Sequence, residues 1–310
     1  MRKLFIYLST ILVVLLLLDR GGAHIMSVAQ RHSQDMWSYK LRRITDGLSE
    51  EVILMGTSRC HNHYVSAIIA DTLGMTVYNA GITSTKNIYT HYMVLSHIVR
   101  HHTPKVICLE VMANDFMRES DAFAPTLFLA PYFGQCAGAD SVFRDAGTYW
   151  ALRLLHLYRY NGRAFENVAG LILDWQRNDT LGYLPIARPD KQLQILKTET
   201  MEAPIDPLKV SYLRRFATLC RQHGIRLVWM ISPRFSLIAP DFYAPLHRLA
   251  RDMDILLLDY HTQRFLLDRP DLFFDEPHLW DLGARIFSAR FAHDLDSVLN
   301  NYYTTDPVSS

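Results

Sequence analysis

Ser58, Asp275 and His278 are residues of this 310-residue chain whose types could together activate an oxygen nucleophile. A serine hydroxyl attacks poorly until a base takes its proton, and imidazole is the base whose protonation suits neutral pH. The imidazole needs a carboxylate at its second nitrogen to fix the tautomer and stabilise the imidazolium. Asp275 lies three residues before His278, so one loop could present both. Acyl chemistry also needs donors preorganised for an oxyanion. The candidates are the backbone N–H of Ser58, an N–H from the 79–84 loop and the side-chain amide of Asn114.

Each of these residues has a plainer role when taken alone. A serine after a strand is more often a helix N-cap than a nucleophile. Asn114-Asp115 could be an ordinary Asx turn, and Asp275 and His278 could simply precede a helix capped by Asp281. What favours chemistry is that all of them fall just after predicted strands or just before the last helix.

The elements that must position them alternate. Residues 51–56 read as a short buried strand, 61–73 as a helix ending before Gly74, 76–78 as a second strand, 85–100 as a helix and 105–111 as a third apolar strand introduced by Pro104. The rhythm stops after Phe116 for about ninety residues. It resumes with a helix over 207–223, a strand over 225–231, a helix over 244–252 and a strand over 255–258. A last helix spans 281–299, with Ile286, Phe287, Phe291, Leu295, Val298 and Leu299 predicted along one apolar face. Alternating units with all-apolar strands predict an α/β fold, a parallel sheet covered by helices on both faces, whose ligand site lies beyond the carboxyl ends of the strands.

Gly56-Thr57-Ser58, Asn79-Ala80-Gly81-Ile82-Thr83-Ser84, Ala113-Asn114-Asp115 and Asp275-Glu276-Pro277-His278-Leu279 resemble, in order, the motif blocks of the SGNH (GDSL-type) hydrolases. The last block is the most specific, and its continuation Asp281-Leu282-Gly283-Ala284 is similar to the family's closing helix. The resemblance covers about residues 50–115 and 205–300. It implies a flavodoxin-like three-layer αβα sandwich with Ser58 as nucleophile, His278 as base, Asp275 as its orienter and Asn114 as oxyanion donor. Thr57 stands where the family usually carries Asp, and Met112-Ala113 where its third block usually begins with Gly. Ser84 falls where the oxyanion glycine would sit; a backbone N–H survives there, and Gly81 is the alternative flexible point, so both positions are candidates for oxyanion binding.

The chain opens Met1-Arg2-Lys3 and runs from Leu4 to Leu18 without a charge, the pattern of an export segment. Those fifteen residues rise only about 22 Å as a helix, short of the roughly 30 Å of hydrocarbon, so spanning needs help from the flanks. Residues 1–24 therefore read as a signal peptide, with Gly21-Gly22-Ala23 as a cleavage site, or as an N-terminal membrane anchor, the reading we favour. Positive charges ahead of the apolar run place the residues after it outside the cytoplasm. Residues 25–48 read as a linker or N-terminal helix, 49–305 as the hydrolase domain with a mostly helical or irregular insertion at 116–205, and 306–310 as a tail.

With 32 Lys and Arg against 31 Asp and Glu, the chain lacks the electrostatic footprint of a nucleic-acid binder. Cys60, Cys108, Cys136 and Cys220 form no CxxC pair, and neither His61 and His63 nor His101 and His102 have a third ligand at defined spacing. No metal and no cofactor is expected. Cys60 reads as a small buried hydrophobe, His101 and His102 as solvated residues at a helix end, and Arg59 equally as an anion-binding or a surface residue. The insertion is rich in aromatics, Phe123, Phe133, Tyr149, Trp150 and Trp175 among them, which could cap the site but individually favour core packing. The expected function is an exported serine esterase or acyltransferase acting on O-acyl esters of an envelope or extracellular polysaccharide. Its alternatives are an envelope lipase or phospholipid esterase, and a catalytically inactive carbohydrate-binding or assembly protein on the same fold.

Overall fold

The computed structural model describes residues 1–33, 35–83, 87–161, 168–171, 180–190, 198–199, 203–239 and 241–305. Its centre is a five-stranded, all-parallel sheet built from β1 (Val52–Met55), β2 (Val77–Asn79), β3 (Val106–Glu110), β5 (Arg226–Ile231) and β7 (Leu256–Asp259). A separate two-residue pair joins β4 (Thr198–Glu199) to β6 (Leu237–Ile238). The main sheet runs in the order β2-β1-β3-β5-β7, so the winding reverses between β1 and β3. Loops leaving those two strands part in opposite directions and open a crevice, as expected of a flavodoxin-like winding.

Both faces of the sheet are covered because successive strand side chains point to opposite sides. Ile53, Met55, Ile107, Leu109 and Trp229 face α5 (Ile88–Ile98), α8 (Pro207–Gln222) and α9 (Ala244–Asp252), where Met93, Phe216 and Leu246 meet them. Val52, Leu54, Val106, Cys108 and Met230 face α4 (Ser66–Leu73) and α11 (Asp281–Thr305), the helix that follows the short α10 (Arg264–Leu267), through Ile69, Phe287, Phe291 and Leu295. Full burial of each such side chain stabilises by about 1.5–3 kcal/mol. Phe287, Phe291, Leu295 and Leu299 lie on the apolar face of the last helix as predicted, but Ile286 is on the solvent side, being one residue out of phase with that stripe.

Elsewhere the predicted elements hold to within a few residues, with one informative break. The helix expected over 61–73 is two: α3 (Ser58–His63) and α4, separated by extended Tyr64 and Val65. Side chains satisfy the interrupted backbone. Asn79 Nδ2 donates to the carbonyls of Cys60 and Tyr64 at 2.7 and 2.9 Å, while Ser288 Oγ accepts from Val65 N and donates to His63 O. The break lets α3 sit over the end of the sheet.

The insertion joins the main core rather than standing apart. Its α6 (Ala137–Asp145) and α7 (Tyr149–Leu154) bring Phe143 and Leu152, with Phe133, into the cluster around α5, and Phe123 stacks on Tyr89 at 4.3 Å. At its start α1 (Arg2–His32) is one continuous helix across the boundary expected at residue 24, and α2 (Met36–Arg42) follows it. Leu4–Leu18 project from the body, and α1 is long and apolar enough to cross a membrane. Trp175, part of the expected cap, and the tail 306–310 lie outside the described residues.

Candidate active site

Ser58 follows β1 as the first residue of α3, half-buried at the carboxyl end of the sheet. The turn before it is tight: Gly56 has a φ of +154°, and a Cβ there would lie 2.7 Å from Cys60 Cβ. Only glycine permits this approach. Asp275 and His278 come from the loop before α11, pinched by an antiparallel bridge between Phe273 and Leu279 and tied to the 234–236 segment by Phe235 N to Glu276 O at 2.8 Å.

The three side chains form one hydrogen-bonded line. His278 Nε2 lies 2.9 Å from Ser58 Oγ, and Nδ1 lies 2.8 Å from Asp275 Oδ1. The same carboxylate oxygen accepts from the His278 backbone N–H at 2.9 Å, so it fixes both the loop and the ring. With its Nδ1 proton facing Asp275, His278 presents a bare Nε2 to the serine hydroxyl, the arrangement a general base requires. A pocket of about 430 Å³ opens on this line, bordered by Thr57, Asn62, Thr83, Met112, Ile186 and Phe274. Ile186 is held there by the insertion's return: Leu184 N donates to His61 O at 3.0 Å, Asn62 Nδ2 to Leu184 O at 2.8 Å and Asp281 N to Ile186 O at 2.9 Å. Such hydrogen bonds make this part of the insertion one wall of the site.

Two of the oxyanion candidates, Asn114 and Gly81, are engaged elsewhere. Asn114 Nδ2 turns toward Glu119 Oε1 at 3.4 Å and its carbonyl accepts from buried Lys209 Nζ at 2.6 Å. Asp115 Oδ2 accepts from Met112 N at 2.7 Å, so the turn after β3 offers Met112, not Asn114, to the pocket. Gly81 is no oxyanion donor either, since its N–H is taken by Asn79 Oδ1 at 2.9 Å. Its need for glycine is steric: a Cβ would come within 2.6 Å of His61 N. Ser84 lies outside the described residues.

Beneath the serine is a second polar cluster that sequence reasoning did not find. Arg59 is not on the surface, and the anion it meets is the chain's own Glu110: it is buried, with Nε 3.2 Å from Glu110 Oε1 and 3.0 Å from Ser232 Oγ. Ser232 Oγ makes a short hydrogen bond to Glu110 Oε1 and stands 3.0 Å from His63 Nδ1. His63 Nε2 accepts from the backbone N–H of Leu279, the neighbour of His278, at 3.0 Å. Burial, aided by Arg59 and His278, holds the His63 imidazole well below its ordinary pKa, hence neutral, and the Leu279 bond assigns its proton to Nδ1. Burial raises the Glu110 carboxyl despite Arg59 beside it. A signal existed: Glu110 ends an otherwise apolar strand, and a carboxylate there demands a buried partner.

Other histidines and cysteines have structural places. Cys60 is buried as expected, and burial pushes its thiol well above the ordinary value, opposite to what a nucleophile needs. His61 Nδ1 meets Thr83 Oγ1 at 3.2 Å. His101 is exposed as predicted, while His102 is half-buried with its Nε2 2.7 Å from Glu50 O. Among the described residues no group of three or more His, Cys, Asp or Glu side chains could hold a metal.

The chain matches no protein-family model and no curated protein. A serine hydroxyl, an imidazole and a carboxylate in line at a pocket can form and resolve an ester at Ser58.

Proposed function

We propose that this chain is a serine esterase or acyltransferase of SGNH type, acting on O-acyl esters. The observation that carries the reading is the unbroken line from Asp275 through His278 to Ser58, opening on a pocket at the point where the sheet's winding reverses. Ser58 Oγ attacks the ester carbonyl carbon while His278 Nε2 takes its proton. The C–O bond to the alcohol breaks as His278 returns that proton to the leaving oxygen, leaving an acyl group on Ser58. Water or a second hydroxyl, deprotonated by His278, then attacks the acyl carbon and restores the serine. The 2.9 Å contact and the open pocket support this reading over a binding-only protein, which would part Ser58 from His278 or fill the cleft.

Membrane attachment and an extracytoplasmic site are part of the proposal. In its support, the polar residues after the apolar run are built into the body: Asp19 accepts from His156 N and Leu157 N, each at 2.9 Å, and Arg42 Nη1 donates to Gln30 O at 2.7 Å. Cleavage near residue 22 would remove the first of these links, which favours an uncleaved anchor. An acylated envelope polysaccharide is the substrate class we favour. A lipid ester is the second reading, favoured by exposed apolar side chains on the insertion, Trp150 and Leu154 among them.

Labelling of the full chain in detergent with a fluorophosphonate, followed by mass spectrometry of the adduct, tests the chemistry. The expected adduct is on Ser58, lost in Ser58→Ala and His278→Ala. A folded protein that labels at another residue, or equally well without His278, would overturn it. Turnover of short acyl esters of sugars against long-chain glycerolipid esters then separates the two substrate classes.

A further inference from the structure

We propose that the insertion's surface around Trp150, Leu154, Leu155 and Leu157 rests on the lipid headgroup layer of the membrane that α1 enters, so that the body contacts the bilayer through two elements rather than hanging from one helix. The proposal rests on the reading of α1 as a membrane helix.

Three observations carry it. First, these large apolar side chains are 66, 62, 52 and 43% exposed, within eight residues of one another, in an insertion whose neighbouring rings Phe133 and Phe143 are buried. Trp150 and Leu154 are one turn apart on α7 and therefore share a face. An apolar patch of this kind marks an interaction surface. Second, hydrogen bonds fix its height along α1. Asp19 caps the backbone at His156 and Leu157, Arg20 Nη1 donates to Leu154 O at 3.1 Å, and Gly22 packs so closely on Leu157 that a Cβ would lie 3.2 Å from its methyl carbon. Residues 154–157 are thus level with the first polar residues after Leu18, where an inserted α1 would leave the hydrocarbon. Third, the composition suits the headgroup layer. Arg153 lies over the Trp150 ring at 5.9 Å, pairing an indole with a guanidinium that can meet lipid phosphate. A groove of about 720 Å³ between α1 and this surface, lined by Gly22, Ile25, Met26, Leu155, Leu157 and Tyr158, continues the apolar strip up the helix.

The occupant is lipid because the patch is continuous with a helix whose apolar run, Leu4–Leu18, is uncovered. The four native cysteines are buried, so introduced ones can be labelled selectively. Full-length Leu12→Cys, Trp150→Cys, Leu154→Cys and Arg264→Cys, each carrying a small environment-sensitive fluorophore, are placed in phosphatidylcholine and phosphatidylglycerol vesicles with nitroxides at headgroup or mid-chain depth. The expected result is mid-chain quenching at 12, and headgroup quenching at 150 and 154 at least threefold above that at exposed 264. Quenching at 12 with 150 and 154 no different from 264 would overturn the second contact and leave the membrane helix standing, pointing instead to a protein occupant. No quenching at 12 would overturn both.

Discussion

The same three kinds of group occur twice at the carboxyl end of this sheet, a few residues apart and in different order. In the line Asp275–His278–Ser58 the imidazole is in the middle and the hydroxyl is terminal, facing a pocket. In Glu110–Ser232–His63 the hydroxyl is in the middle, and the imidazole ends on a backbone N–H. Ser232 is fully buried, with Arg59 donating to it as well, so its lone pairs and proton are all committed. The first arrangement leaves an oxygen that can gain a bond. The second leaves none, and its ionic pair of Arg59 and Glu110 serves the geometry above it. Reactivity depends on order and access, not on which side chains are present.

The largest expected effect is on the terminal hydroxyl. Ser58→Ala should remove at least about four orders of magnitude of turnover and all fluorophosphonate labelling, while shifting stability by no more than about 0.5 kcal/mol. A variant that unfolded would place Ser58 with the structural cluster. Asp275→Asn, which keeps the shape but no longer fixes the tautomer, should cut kcat by about 10²–10⁴-fold with little change in the melting temperature. Arg59→Ala should invert that pattern, costing about 3–5 kcal/mol in denaturant unfolding because it strands buried Glu110. If it lost activity without losing stability, the contrast between the two clusters would fail. His63→Phe strips the Leu279 N–H and the Ser232 hydroxyl of a partner and should cost about 1–3 kcal/mol, lowering kcat with KM held, since His63 positions His278 without reaching the pocket. Partial recovery of kcat in His63→Gln would separate that role from bulk packing.

The effect furthest from the pocket's chemistry is one of pH. Burial pushes the Asp115 carboxyl up to about 7. Its folded pKa exceeds its unfolded one, so its stabilising contribution is present below the ordinary carboxylate value and is lost as pH rises toward about 7. His91 nearby, held down to about 4 by burial, acts in the opposite sense below its ordinary value. The comparison with Asp115→Asn isolates the carboxylate: the variant should gain on wild type by up to about 2–4 kcal/mol between pH 5 and pH 8, read from thermal unfolding at each pH. An unchanged difference would remove Asp115 from the titrating groups.

Much of this was legible in the sequence because its signals are local. Apolar runs give β1, β3 and β5, and the polar residues after them mark the end at which Ser58 lies. The Asp275 and His278 spacing works because a three-residue loop brings a carboxylate back onto a ring. Orientation was not legible. Whether Asn114 faces the pocket depends on Lys209 and Glu119, distant residues that take its carbonyl and its amide. The Gly81 N–H was lost to Asn79, and Arg59 was drawn inward by Glu110, both through partners on other elements. Ile286 failed for a plainer reason, as a periodic stripe does not resolve its own edge. The helix break at Tyr64 was invisible because Asn79 and Ser288, far away in sequence, replace the missing turn.

Ser58 and His278 are separated by 220 positions, and the contact between them closes almost the whole length of the domain. During synthesis Ser58 is laid down 220 residues before the imidazole it contacts. Until that imidazole is in place Ser58 is an ordinary alcohol. The reactivity proposed for Ser58 is thus a late checkpoint in the birth of the protein, switched on only once the end of β1 and the loop before α11 have met.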